Sequence, residues 1–130
     1  MFTIDQIKAA HSKVKSGADF PKYVKDLIEL GVISYHTYVS DGHAEYFGES
    51  NYQVKSDAKY PILNVSEKSN SENFINRLKI HQQGQTDYMT FCKDSAETGV
   101  EKWVVDTKAM TCTYYDLSGN MMLEEKIPTA

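Results

Sequence analysis

The stretch VISYHTYVSDGHAEYFG, residues 32–48, decides the fold. Its apolar and aromatic residues recur at every second position on both sides of Asp41-Gly42. That is the pattern of two half-buried strands joined by a tight turn. With Asp41-Gly42 as a two-residue turn, Ser40 opposes His43, Val39 opposes Ala44, Tyr38 opposes Glu45, Thr37 opposes Tyr46 and His36 opposes Phe47. Opposed residues share a face, and faces alternate along a strand. Ile33, Tyr35, Thr37, Val39, Ala44 and Tyr46 then form the core face. Ser34, His36, Tyr38, Ser40, His43, Glu45 and Phe47 form the other.

The outward face therefore collects residues able to do chemistry. His36, Tyr38, Asp41, His43 and Glu45 are the candidate ligand-binding residues. They read more readily as an ordinary solvated sheet face. Tyr38 opposite Glu45 can hydrogen-bond across the strands. In this register His36 and His43 stand well over about 10 Å apart, at roughly 3.3 Å of rise per residue, too far to share one metal.

Outward from the hairpin, helical patterns precede the strands. Thr3 with Gln6 matches a capping box, and Ile4, Ile7, His11 and Val14 make one stripe ending at Gly17. Asp19, Pro21 and Gly31 bound a second helix whose apolar face holds Phe20, Val24, Leu27, Ile28 and Leu30. After the hairpin, NYQVKS (51–56) reads as a third strand. Residues 56–70 are polar, with Pro61 and a Ser/Asn run, and read as a connector with a short edge strand at 62–65. Ser71 is the expected cap of a third helix stopped by Gly84, with His81 inward. Thr86 or Asp87 opens a fourth that ends before Gly99. VEKWVVD (100–106), MTCTYYD (110–116) and MMLEEKI (121–127) follow as three strands, the last two joined by LSGN.

Helix, helix and three strands thus occur twice. Shifting the chain by 68 residues gives eight identities over positions 3–47: Ile7/Ile75, Asp19/Asp87, Lys25/Lys93, Asp26/Asp94, Glu29/Glu97, Gly31/Gly99, Val32/Val100 and Tyr46/Tyr114. Ordinary composition gives roughly three by chance. Thr3/Ser71, Phe20/Tyr88, Tyr23/Phe91, Tyr35/Trp103 and Phe47/Tyr115 match in kind. The expectation is one α+β domain over 1–130, built from αα-βββ halves 1–55 and 70–128 about a pseudo-two-fold axis, with connector 56–69. Asp41, Gly42 and His43 align with Ala109, Met110 and Thr111, so the second half is expected to use a longer loop there.

Composition narrows function by exclusion. A net charge of −4 and a pI near 5.5 argue against nucleic acid as a partner. The lysines at 8, 13, 15, 22 and 25 read as solvated helix faces. No apolar run approaches membrane-spanning length and the N-terminus lacks a signal-peptide pattern, so a cytoplasmic protein with no membrane partner is expected. Cys92 and Cys112 are expected to be reduced, with Cys112 buried beside Tyr114, and no Cys/His spacing suggests zinc. No catalytic triad order, P-loop or dinucleotide fingerprint is present, and no cofactor is expected. Trp103, Tyr35, Tyr38 and Tyr115 could form an aromatic patch.

At SDGHAEYFG (40–48) and TCTYYDLSGNMMLEEKIP (111–128) the chain resembles the YdfO-like, or phage-envelope-protein-like, family of small bacterial and prophage-associated proteins. The Gly-Val start of each sheet segment and the C-terminal Glu-Lys-Ile-Pro carry the resemblance. It covers nearly the whole chain and implies a domain of unknown function, with no activity and no catalytic residue to transfer. The residues themselves favour a non-enzymatic binding or protein-interaction module acting through the sheet or the seam between halves, with a protein or small-molecule partner. The alternatives are a small enzyme or ligand-binding protein using His43, Glu45 and Tyr38, and a phage component assembling through strand edges. A catalytic His43 would have to lie in a concave pocket.

Overall fold

A computed structural model describes residues 2–14 and 17–128. Lys15 of the lysine cluster lies outside the described residues. Helices α1 (Ile4–His11) and α2 (Phe20–Leu30) precede strands β1 (Ser34–Tyr38), β2 (Ala44–Phe47) and β3 (Gln53–Lys55). Helices α3 (Ser71–Gln82) and α4 (Tyr88–Glu97) precede β4 (Lys102–Asp106), β5 (Thr111–Tyr115) and β6 (Met121–Lys126). The chain is α+β: one antiparallel sheet in the order β3-β2-β1-β4-β5-β6, with helices against one face.

The helix ends follow from local chemistry. Thr3 and Gln6 exchange the two bonds of a capping box, at 3.2 and 2.9 Å. α1 stops at His11, well short of Gly17, where the Ser12 hydroxyl donates to the Ala9 carbonyl and competes with the helix ladder. Gly31, at φ 101°, closes α2. Asp87 caps α4 by accepting from Thr90 N–H at 2.8 Å. The expected Ser71 cap of α3 is corrected to Asn70, whose side chain accepts from Asn73 N–H at 3.0 Å and makes Ser71 the first helical residue.

The hairpin keeps its predicted faces but not its predicted register. Tyr35 opposes Tyr46, His36 opposes Glu45 and Thr37 opposes Ala44. Tyr38 N–H donates to the His43 carbonyl at 3.0 Å, so the loop holds four residues, 39–42. A two-residue type I′ turn needs positive φ at both central positions. Only Gly42 has it, at φ 77°. The register moves by two residues, and an even shift returns every side chain to its own face. Tyr35, Thr37, Val39, Ala44 and Tyr46 are accordingly all buried. The β4–β5 loop is not longer: it also holds four residues, 107–110, with Met110 at φ 55°.

No edge strand forms at 62–65. The connector instead docks along the domain through isolated backbone bonds. Lys59 N–H donates to the Asp41 carbonyl, Leu63 to Ser40, Ser66 to Ala96 and Asn70 to Thr98, all at 2.7–2.9 Å. The core between helices and sheet is sealed by Val24, Leu27, Phe74, Val100 and Val105, all fully buried. Among the described residues no helix is long and apolar enough to cross a membrane.

Candidate binding cavity between the helices and the sheet

On the outer sheet face, the corrected register brings four of the five candidate residues into one chain of contacts. The His43 ring stacks on Tyr38, with centroids 4.5 Å apart and planes 6° from parallel. Asp41 accepts from the His43 backbone N–H at 3.0 Å, and its carboxylate lies 2.5 Å from His43 Nδ1. Burial alone would raise the Asp41 carboxyl, but the two His43 contacts outweigh it and leave the pKa below the ordinary value. Tyr38 Oη donates to Glu45 at 3.3 Å, and Lys55 pairs with the same carboxylate at 3.2 Å. Glu45 is diagonal to Tyr38, not opposite it.

His36 sits apart, edge-on to Phe47 at 5.3 Å. It is diagonal to His43, which places their Cα atoms about 7–8 Å apart, closer than the predicted register allowed. Lys102 lies over both Tyr38 and Tyr115, at 5.8 and 5.7 Å from the ring centroids. Trp103 and Tyr35, expected to share a patch with these two, point the other way and are buried. Among the described residues no group of three or more His, Cys, Asp or Glu side chains could hold a metal ion.

The principal cavity lies on the opposite face. It measures about 440 Å³, opens to solvent, and is bounded by all four helices, by strands β1, β2, β4, β5 and β6 and by the connector. That volume is in the range of small-molecule sites. None of His36, Tyr38, Asp41, His43 or Glu45 lines it. Its wall is aromatic. Ring contacts run from Tyr46 to Tyr35 at 5.3 Å, to Tyr23 at 6.2 Å and to His11 at 5.2 Å. His11 passes the chain to Tyr88 at 5.4 Å, and Tyr88 to Trp103 at 6.5 Å. Phe91 then touches Trp103 at 5.5 Å and stacks on His81 at 4.4 Å.

Burial sets the protonation states of this wall. It holds the phenols of Tyr23, Tyr35, Tyr88 and Tyr114 well above their ordinary pKa. It pushes the Cys112 thiol up to about 12 and raises Cys92, against which the Tyr60 and Tyr88 hydroxyls lie. Neither sulfur is a ready nucleophile at neutral pH. His11 and His81 are shifted down by burial, His11 further by the positive charge of Lys59. Both were legible as inward-facing in the sequence.

Lys59 and Tyr60 were not. Each comes from the polar connector and owes its position to the 39–42 loop. Lys59 N–H is bonded to Asp41, and Tyr60 Oη donates to the Val39 carbonyl at 2.6 Å. Gly42 has room for both because it lacks a side chain: a Cβ there would stand 2.6 Å from the Tyr60 ring and 3.2 Å from Lys59 Cβ. Lys59 lines the principal cavity and a smaller one of about 230 Å³ beside it.

A family model described as "Protein of unknown function (DUF1398)" matches residues 8–126, nearly the whole chain. No curated protein matches the chain. The chain belongs to the DUF1398 family.

Proposed function

We propose that this member of the DUF1398 family is a binding protein that takes a small, largely apolar molecule into the cavity between its helices and its sheet. The observation that carries the reading is the cavity itself: about 440 Å³, open, and walled by a continuous run of aromatic rings. Aromatic walls with few polar groups suit ligands that bind by burying apolar area. The protonation states favour binding over covalent catalysis, since both thiols and the phenols are held neutral.

The duplication reading supports the same site. Under the 68-residue shift, Phe20/Tyr88, Tyr23/Phe91, Tyr35/Trp103, Ala44/Cys112 and Tyr46/Tyr114 are counterparts, and all ten residues line the cavity. The strand registers agree with it too. Ser34 opposes Phe47 as Lys102 opposes Tyr115, and Val39 N–H bonds to Glu101 as Thr107 N–H bonds to Ile33. His36 is paired with Val104, its own counterpart, at the centre of the β1–β4 ladder. A pseudo-axis through that pair would pass through the sheet between the two halves of the cavity wall.

Trp103 is the single tryptophan and lines the cavity, so it reports on occupancy. Titration with the neutral dye N-phenyl-1-naphthylamine should show energy transfer from Trp103 to the dye, saturating at one dye per chain. Dye emission that never saturates, or that leaves Trp103 unquenched, refutes the cavity as a binding site.

A further inference from the structure

The charges around this cavity run against the charge of the chain. The protein carries a net −4, yet the formally charged residues of the cavity wall are Lys59, Lys126 and Glu125, two cations to one carboxylate. Glu125 is already engaged, accepting from the Gln82 amide at 3.0 Å. Lys59 is not: none of the ion pairs among the described residues includes it.

The surroundings of Lys59 disfavour its charge. Desolvation and, after it, repulsion from Lys8 across the smaller cavity, which both residues line, hold its pKa below the ordinary lysine value. The Cys92 thiol nearby would offset the charge only as a thiolate, and burial keeps it protonated. His11 also lines both cavities and offers a ring N–H. An ammonium on the wall of an open cavity, with no carboxylate partner and with a second cation close by, is stabilised by an anion brought to it.

Resting on the cavity reading, we propose that the ligand is an amphipathic monoanion, an aromatic or alicyclic body bearing one carboxylate or comparable acid group, with its rings against the tyrosine and tryptophan wall and its anionic group at Lys59. The connector supplies the charge and the helices and sheet supply the apolar wall. The two parts of the ligand are recognised by two separate parts of the chain.

A matched pair of dyes tests this. 1-Anilinonaphthalene-8-sulfonate and N-phenyl-1-naphthylamine share a ring system and differ by the acid group. Both are titrated against the full chain, against Lys59→Met, which keeps the apolar stem, and against Lys59→Arg, which keeps the charge. Thermal melts by circular dichroism establish that each variant is folded. In Lys59→Met the sulfonate should lose about tenfold in affinity while the neutral dye changes less than twofold, and Lys59→Arg should recover most of the loss. If the two dyes respond equally to Lys59→Met, or neither responds, the anion site is overturned and the cavity reading stands. If neither dye binds the unaltered protein with quenching of Trp103, the cavity reading itself has failed.

Discussion

Replacing Gly42 by alanine isolates what the 39–42 loop does. Two costs arise, and they can be separated. The backbone sits at φ 77°, a left-handed conformation that costs an alanine roughly 1 kcal/mol. The new Cβ would also stand 2.6 Å from Tyr60 Cε2 and 3.1 Å from Cζ, so the ring must retreat by roughly 0.8 Å to reach ordinary contact. That retreat stretches the 2.6 Å bond from Tyr60 Oη to the Val39 carbonyl, worth about 1 kcal/mol when made. The total is about 2 kcal/mol. Gly119→Ala is the control, because its φ is 82° but nothing lies within 4 Å of the added Cβ. It should cost only about 1 kcal/mol. In urea unfolding followed by Trp103 fluorescence, with a slope of about 2 kcal/mol/M, the midpoint should fall by about 1 M for Gly42→Ala and about 0.5 M for Gly119→Ala. In a Tyr60→Ala background the Gly42→Ala cost should shrink to the backbone part. Equal losses at the two glycines, or a Gly42→Ala cost that persists without the Tyr60 ring, would refute the claim that this loop is built to seat the connector.

Three other outcomes follow from the site and the core. His43→Ala removes the ring stacked on Tyr38 and should cost about 1 kcal/mol in urea unfolding while leaving neutral-dye affinity within twofold; a large loss of dye affinity at unchanged stability would move the site to the outer sheet face. The buried phenols of Tyr23, Tyr35, Tyr88 and Tyr114 have pKa values raised above those in the unfolded chain, so the folded state holds its protons longer. Their contribution is complete below about pH 10 and is lost as pH rises beyond it, so urea midpoints should be flat from pH 8 to 9 and fall steadily towards pH 11; a midpoint unchanged at pH 11 contradicts this. Cys92 and Cys112, both buried with raised pKa values, should resist Ellman's reagent at pH 8 in the folded protein and react fully in urea, whereas rapid labelling of either in the folded state would contradict the burial that holds these thiols protonated.

Much of the architecture was legible because it is written in short periods. Strand faces depend only on odd and even positions, so Tyr35, Thr37, Ala44 and Tyr46 were placed inward even from a register two residues out. The register itself was not legible. Asp41-Gly42 has the composition of a two-residue turn, but Asp41 keeps a negative φ and spends its carboxylate on His43. Helix starts were legible to within a residue: Thr3 and Asp87 cap as expected, and Asn70 displaces Ser71 because an amide oxygen reaches the third N–H as readily as a hydroxyl does. The docking of the connector was not legible, and the edge strand expected at 62–65 does not form, because its backbone partners are Asp41, Ser40, Ala96 and Thr98, far from it in sequence on both sides. No local pattern encodes such bonds.

That connector also bears on a difference between the two hairpin loops. The β4–β5 loop has the same length as the β1–β2 loop and the same left-handed position, filled by Met110 where the first has Gly42. A methionine is tolerated there, so the backbone alone does not demand glycine. The difference lies in what packs outside. Against the first loop lie Lys59 and Tyr60, close enough to exclude any Cβ. At the second, Thr107 turns its hydroxyl to the Val32 and Ile33 carbonyls at 2.9 Å. If the halves arose by duplication, the second half carries Ile127 where the connector has Lys59, and the Ile127 N–H bonds to the Met110 carbonyl at 2.8 Å. The Asp-Gly-His stretch is then the seat of the connector. The division matches the two parts of the proposed ligand. Under the 68-residue shift the aromatic wall residues match one another, whereas Lys59 matches Ile127 and so has no charged counterpart. A symmetric cup alone would hold an apolar body in two equivalent orientations. Charges placed unevenly on the wall, Lys59 from the connector and Glu125 and Lys126 from β6, make those orientations unequal, so binding can select for a charged group and for its position.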